Sequence, residues 1–85
     1  HLDILYDDLS VEDHLQLIGR MRHMEKHGMS ESIEKILQLI GLTNDRKTLS
    51  KNLSGGMKRR LSIGISLMND PKVIILDEPT SGIGK

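Results

Sequence analysis

The sequence predicts a mostly α-helical piece of an α/β protein: three amphipathic helices followed by one strand buried on both faces. Three observations predict it. Apolar residues recur every three or four positions through three stretches, separated by Gly28 and by a polar run at 43–53. Pro71 ends that pattern, because proline disfavours helix at the residue before it. Val73, Ile74, Ile75 and Leu76 then follow without alternation, bounded by Pro71 and Asp77, as in a strand covered on both sides. The rest of the chain offers no second strand of this quality, so the expected sheet lies outside these 85 residues.

The first helix is expected to start at Ser10, whose hydroxyl can accept an orphan N–H of the first turn. Asp13, three residues on, completes a weak capping box and suits the positive end of the helix dipole. Val11, Leu15, Ile18 and Met21 share one face, and Gly28 is expected to end the element. The second helix is expected near Ser30, with Ile33, Ile36, Leu37 and Ile40 on its apolar face. Gly41 is placed to end it in the left-handed conformation, with Leu42 folding back on Leu37. Residues 43–53 read as a polar connector with one turn around Asp45–Thr48. The third helix follows Ser54 and carries Met57, Leu61, Ile65 and Met68 on one face, with Arg59, Ser62 and Ser66 on the other.

Composition narrows the function. Lys plus Arg and Asp plus Glu are each 12, so the net charge is zero, which argues against a dedicated nucleic-acid binder. No cysteine is present, which excludes thiolate metal sites and cysteine nucleophiles. No apolar run approaches the ~20 residues of a spanning helix, and the opening residues lack the pattern of a signal peptide. Phe, Trp and Ala are absent and Tyr6 is the only aromatic, so core volume comes from Leu, Ile and Met. A chain of this size buries only about 60% of its unfolded surface, and weak or absent unfolding cooperativity is expected of it alone. Charge is segregated. Residues 1–17 hold five acids and no Lys or Arg, while residues 45–60 hold six basic residues against Asp45. Two readings stand: the patches face each other, or each is a solvated face.

Two segments carry chemistry. In Leu53-Ser54-Gly55-Gly56-Met57 a serine caps a helix whose first two residues are glycines. Such a tip exposes backbone N–H groups beside a hydroxyl, an arrangement suited to phosphate, although a plain capping turn has the same composition. In Val73–Gly82 a buried strand ends in Asp77 and Glu78, followed by Pro79, Thr80, Ser81 and Gly82. Ligands in open parallel sheets bind beyond the carboxyl ends of the strands. An aspartate there can hold Mg²⁺ through its waters, and the adjacent glutamate can orient or deprotonate an attacking water. The plain alternative is a strand end with two solvated acids. His23 and His27 are four apart, a spacing that can share a metal, but the expected break at Gly28 favours solvated histidines.

Together the two segments resemble the nucleotide-binding domain of ATP-binding cassette (ABC) proteins, an α/β P-loop NTPase fold. Leu53–Met57 is similar to that family's signature motif, Val73–Glu78 to its Walker B strand with the catalytic glutamate, and Ser81-Gly82-Ile83 to the start of its D-loop. Leu5–Leu15 resembles the stretch after the glutamine loop in the A subfamily, whose full-length members mostly move lipids. The resemblance covers essentially the whole chain, residues 1–85. It implies a partial domain with a helical subdomain at about 10–69, signature at 53–57, Walker B at 73–78 and partial D-loop at 81–84.

It further implies that Ser54, Gly55, Gly56 and Met57 meet ATP bound by a second, head-to-tail nucleotide-binding domain. Asp77 would help hold Mg²⁺, Glu78 would be catalytic, and Ser81 and Gly82 would communicate across the dimer. A membrane-spanning domain would be the other partner, placing the cassette at the cytoplasmic face of a membrane, with no nucleic acid expected. Two positions depart from the family pattern: Met57 stands where Gln is usual, and Gly84 where Asp is usual. Gly-x-x-x-x-Gly-Lys-Ser/Thr does not occur, the glutamine loop would end before His1, and the switch histidine would lie beyond Lys85. His14, His23 and His27 precede the signature and cannot be that switch. This chain alone is therefore not expected to hydrolyse ATP. The alternatives are a soluble ABC ATPase without a transport role, and a helical nucleic-acid-binding module using Lys58-Arg59-Arg60.

Overall fold

In the computed structural model, residues 4–70 are described, and three helices with two short 3₁₀ turns account for most of them. The expected strand at 73–76 and its acids lie outside the described residues.

Helix α1 spans Val11–Met21 and starts as its capping residues dictate. Ser10 Oγ accepts the Asp13 N–H at 3.0 Å, and the Asp13 carboxylate accepts the Ser10 N–H at 3.1 Å. The end of α1 differs from expectation. It closes at Met21, seven residues before Gly28, because His23 takes a left-handed φ of 57°. His23 N–H then bonds Arg20 O, and Met24 N–H bonds Gly19 O, a Schellman closure made without glycine. Helix α2 spans Lys26–Ile40, so it starts four residues before Ser30 and holds Gly28 within its first turn. Its N-cap, Glu25, makes no side-chain cap bond. Gly41 ends α2 at φ 72°, and the Leu42 N–H reaches back to Leu37 O at 3.0 Å, as expected. Helix α3 spans Gly55–Met68 behind the Ser54 cap.

The connector folds into two 3₁₀ turns rather than one, Thr43–Asp45 and Ser50–Asn52. Between them the backbone pairs with the start of α1. Val11 N–H bonds Thr48 O, Glu12 N–H bonds Arg46 O, and Ser50 N–H bonds Leu9 O. The acidic and basic segments therefore do face each other. Arg46 reaches Glu12 at 3.2 Å and also pairs with Glu34 of α2, while Lys47 reaches Glu12 at 2.8 Å and Lys51 reaches Asp8 at 3.4 Å. Lys47, then Arg46, holds the Glu12 carboxyl below the ordinary carboxylate range.

The core joins Val11 and Leu15 of α1 to Ile33, Ile36, Leu37 and Ile40 of α2 and to Leu61, Ile65 and Met68 of α3. Met21, expected on the buried face, is 66% exposed, because α1 ends there and its last turn is not covered. Two glycines let the helices close. A Cβ on Gly19 would lie 2.4 Å from Met29 Sδ, and one on Gly64 would lie 2.8 Å from Ile40 Cδ1. His14 is buried at the edge of this core. Its Nδ1–H donates to Ser10 O at 2.8 Å and its Nε2 accepts the Tyr6 N–H at 2.9 Å. A carbonyl can only accept and an amide can only donate, so these partners assign the tautomer.

Candidate functional site

The tip of α3 is built by three consecutive residues. Ser54 sits in extended conformation and its Oγ accepts the Met57 N–H at 3.1 Å. The same hydroxyl keeps its own proton as a donor. Gly55 and Gly56 occupy the first two helical positions, whose N–H groups have no partner within the helix. Ser54, Gly55 and Gly56 are all exposed. A Cβ built on Gly55 or Gly56 meets nothing within 4 Å, so neither glycine answers a packing need. Leu53 just before them is buried, and Met57 just after them packs partly against the core. The tip is thus an open amide surface pinned on both sides by apolar anchors.

The electrostatics favour an anion. The positive end of the α3 dipole lies here. Of the six basic residues at 45–60, Arg46, Lys47 and Lys51 are engaged with acids of other segments. Lys58, Arg59 and Arg60 follow the tip directly in sequence. Arg60 leans the other way, with Nη1 3.7 Å from the Cβ position of Gly41 at the end of α2. A phosphate fits this set of donors: unobstructed amides, a free hydroxyl proton and adjacent positive charge.

The remaining sequence-predicted residues are not brought to this tip by the described structure. Asp77, Glu78, Ser81 and Gly82 lie outside the described residues. His23 lies in the turn between α1 and α2 while His27 lies in the first turn of α2, and His27 instead meets the exposed Glu31 at 3.2 Å. Among the described residues no group of three His, Asp or Glu side chains is arranged to hold a metal, and no helix is long and apolar enough to cross a membrane. One residue that sequence reasoning passed over is Arg22, whose Nη1 donates to the Met68 carbonyl at the far end of α3, 2.8 Å away. A separation of 46 residues leaves no local signal for it.

Residues 4–81 match the ABC transporter family. Over 81 residues, 95% of this chain, the sequence is 48% identical to ATP-binding cassette sub-family A member 17 of Rattus norvegicus. Over the same length it is 44% identical to phospholipid-transporting ATPase ABCA3 of Homo sapiens and 44% identical to ABC transporter A family member 2 of Arabidopsis thaliana. The chain spans only 5%, 5% and 8% of these three relatives. No solved structure matches it significantly. A match across nearly the whole chain, joined to identities above 40% with A-subfamily members, shows that the chain belongs to the ABC transporter family, as part of an ATP-binding domain.

Proposed function

We propose that this chain is the signature-bearing part of a nucleotide-binding domain, and that the complete protein couples ATP hydrolysis to the movement of a lipid across a membrane. One observation carries the reading: the Ser54-Gly55-Gly56 tip is open, donor-rich and without a packing reason for its glycines. In this reading the Ser54 hydroxyl and the Gly55 and Gly56 amides bind the γ-phosphate of ATP held by a second, head-to-tail nucleotide-binding domain. Met57 anchors the tip to the core behind it. Asp77 would hold Mg²⁺, and Glu78 would orient and deprotonate the water that attacks the γ-phosphate. Mg²⁺ supplies charge neutralisation on the phosphates when bound. Ser81 and Gly82 pass the state of one site to the other.

Residues of about 10–69 form the helical subdomain that meets a membrane-spanning domain at the cytoplasmic face. The lipid cargo is supported by the subfamily of the relatives and by the printed name of ABCA3. Fixed donors aimed at charge that develops in a transition state contribute roughly 2.7–4 kcal/mol each, which is the scale of effect expected at the tip.

The test is steady-state ATP turnover by the complete transporter in phospholipid vesicles. Glu78→Gln is expected to abolish turnover while ATP binding persists. Phospholipid is expected to stimulate the wild type. Turnover by Glu78→Gln at the wild-type rate would overturn the catalytic assignment, and turnover indifferent to lipid would favour a soluble ATPase role. Residues 1–85 alone are expected to show no Mg²⁺-dependent turnover.

A further inference from the structure

Helix α3 has an end that its own residues leave incomplete. Its last turn contains no basic residue, while its final carbonyls carry the negative end of the dipole. Arg22 supplies the cation from another helix, through the charge-assisted bond to Met68 O at 2.8 Å. Arg22 is itself held firmly. Its N–H bonds Ile18 O at 3.0 Å, and the next two N–H groups close the end of α1 onto Arg20 O and Gly19 O. Close by, the fully buried Met68 places Cε 3.2 Å from the Cβ position of Gly19. The last turn of α3 is therefore tied to the last turn of α1 by a directional bond and a close approach.

We propose that Arg22 is a positioning residue for the Ser54-Gly55-Gly56 tip at the opposite end of α3. The inference rests on the reading of that tip as an ATP contact. Apolar burial of Leu61, Ile65 and Met68 holds α3 against the core but is non-directional. The Arg22 bond is directional and sets where the helix sits along and about its axis. A 14-residue helix is a stiff rod about 21 Å long, so a slip of a fraction of an ångström along its axis at the Met68 end is carried undiminished to the tip. A misplacement of about 1 Å can cost about 100-fold in rate.

The test compares Arg22→Met, which keeps an apolar stem without donors, with Arg22→Lys, which keeps the charge, in the complete transporter. Arg22→Met is expected to lower kcat about tenfold with KM for ATP changed by less than about twofold, at an unchanged amount of folded protein. Arg22→Lys is expected to recover at least about half of the lost kcat. In nucleotide-free protein, Arg22→Met is expected to speed hydrogen exchange at Asn69 and Asp70, whose N–H groups close the end of α3, but not at Met57 and Lys58. Arg22→Gln is read in the same way if Arg22→Met does not accumulate. Wild-type kcat without the arginine, or a loss that merely tracks the amount of folded protein with exchange unchanged, overturns the positioning role. Wild-type turnover in Gly55→Asp would instead overturn the reading of the tip, and this inference with it.

Discussion

Gly55 and Gly56 differ from Gly19 and Gly64 in what surrounds them. Around the first pair a Cβ would meet nothing within 4 Å, whereas at Gly19 and Gly64 it would run into Met29 and Ile40. The interior pair is explained by packing: α1 meets α2 at Gly19, and α2 meets α3 at Gly64, with no room for a side chain. The tip pair has no such explanation. Glycine costs roughly 1 kcal/mol against alanine within a helix, and two in succession at an exposed start offer the fold nothing in return. Their benefit is access to backbone N–H groups. The contrast separates glycines that packing requires from glycines that packing leaves unexplained.

Substitutions can break or sharpen that contrast. The largest effect is expected from Gly55→Asp in the complete transporter. It places a carboxylate where a phosphate is to bind, so ATP turnover should fall by about 100-fold or more, equivalent to about 2.7 kcal/mol. Thermal stability should change by less than about 0.5 kcal/mol, since an exposed acid at a helix start is well tolerated. A loss of stability instead of turnover would move Gly55 into the structural class.

Gly64→Val should show the opposite behaviour. Its side chain would press on Ile40 Cδ1 and Ile36 Cγ2, already 2.8 and 3.2 Å from the Cβ position, and should destabilise the domain by about 2 kcal/mol in denaturant titration. Gly19→Ala should cost less, about 1 kcal/mol. The atoms in its way, Met29 Sδ at 2.4 Å and Cγ at 2.6 Å, belong to a flexible side chain that can turn aside.

The smallest effect is expected at the rim of this packed region, where Glu12 meets Lys47 and Arg46. Lys47 and then Arg46 hold its carboxyl below the ordinary carboxylate range, so the stabilisation is present above that range and is lost as pH falls through the lowered value. Glu12→Gln should remove at most about 1 kcal/mol at neutral pH and flatten the fall in stability as the pH drops below the ordinary carboxylate range. A pH profile unchanged by the substitution would show that the ion pairs contribute nothing.

Legibility in the sequence followed the range of the interactions. The Ser10–Asp13 box, the Gly41 closure and the Ser54 cap involve residues within five positions of each other, and each appears where its residue types place it. The end of α1 was not legible, because a histidine performs there what glycine usually does, while Gly28 sits in a helical turn. Whether the charged segments meet is not encoded in either segment, since exposed charges do not by themselves select a partner. The site shows the same division. The open tip could be read from Ser54-Gly55-Gly56, while Arg22 could not be read from anything near it.

By itself the sequence determined the starts of α1 and α3, the closure at Gly41, the bare tip of α3 and the resemblance to a family, because capping and backbone access depend on a few consecutive residues; the start of α2, which has no side-chain cap, it placed four residues too late. Only the tertiary structure decided that the connector pairs with the start of α1, that Gly19 and Gly64 are sites of close helix approach, and that Arg22 completes the far end of α3. Those outcomes depend on which distant surfaces meet, and burial and directional hydrogen bonds make that choice once the helices exist.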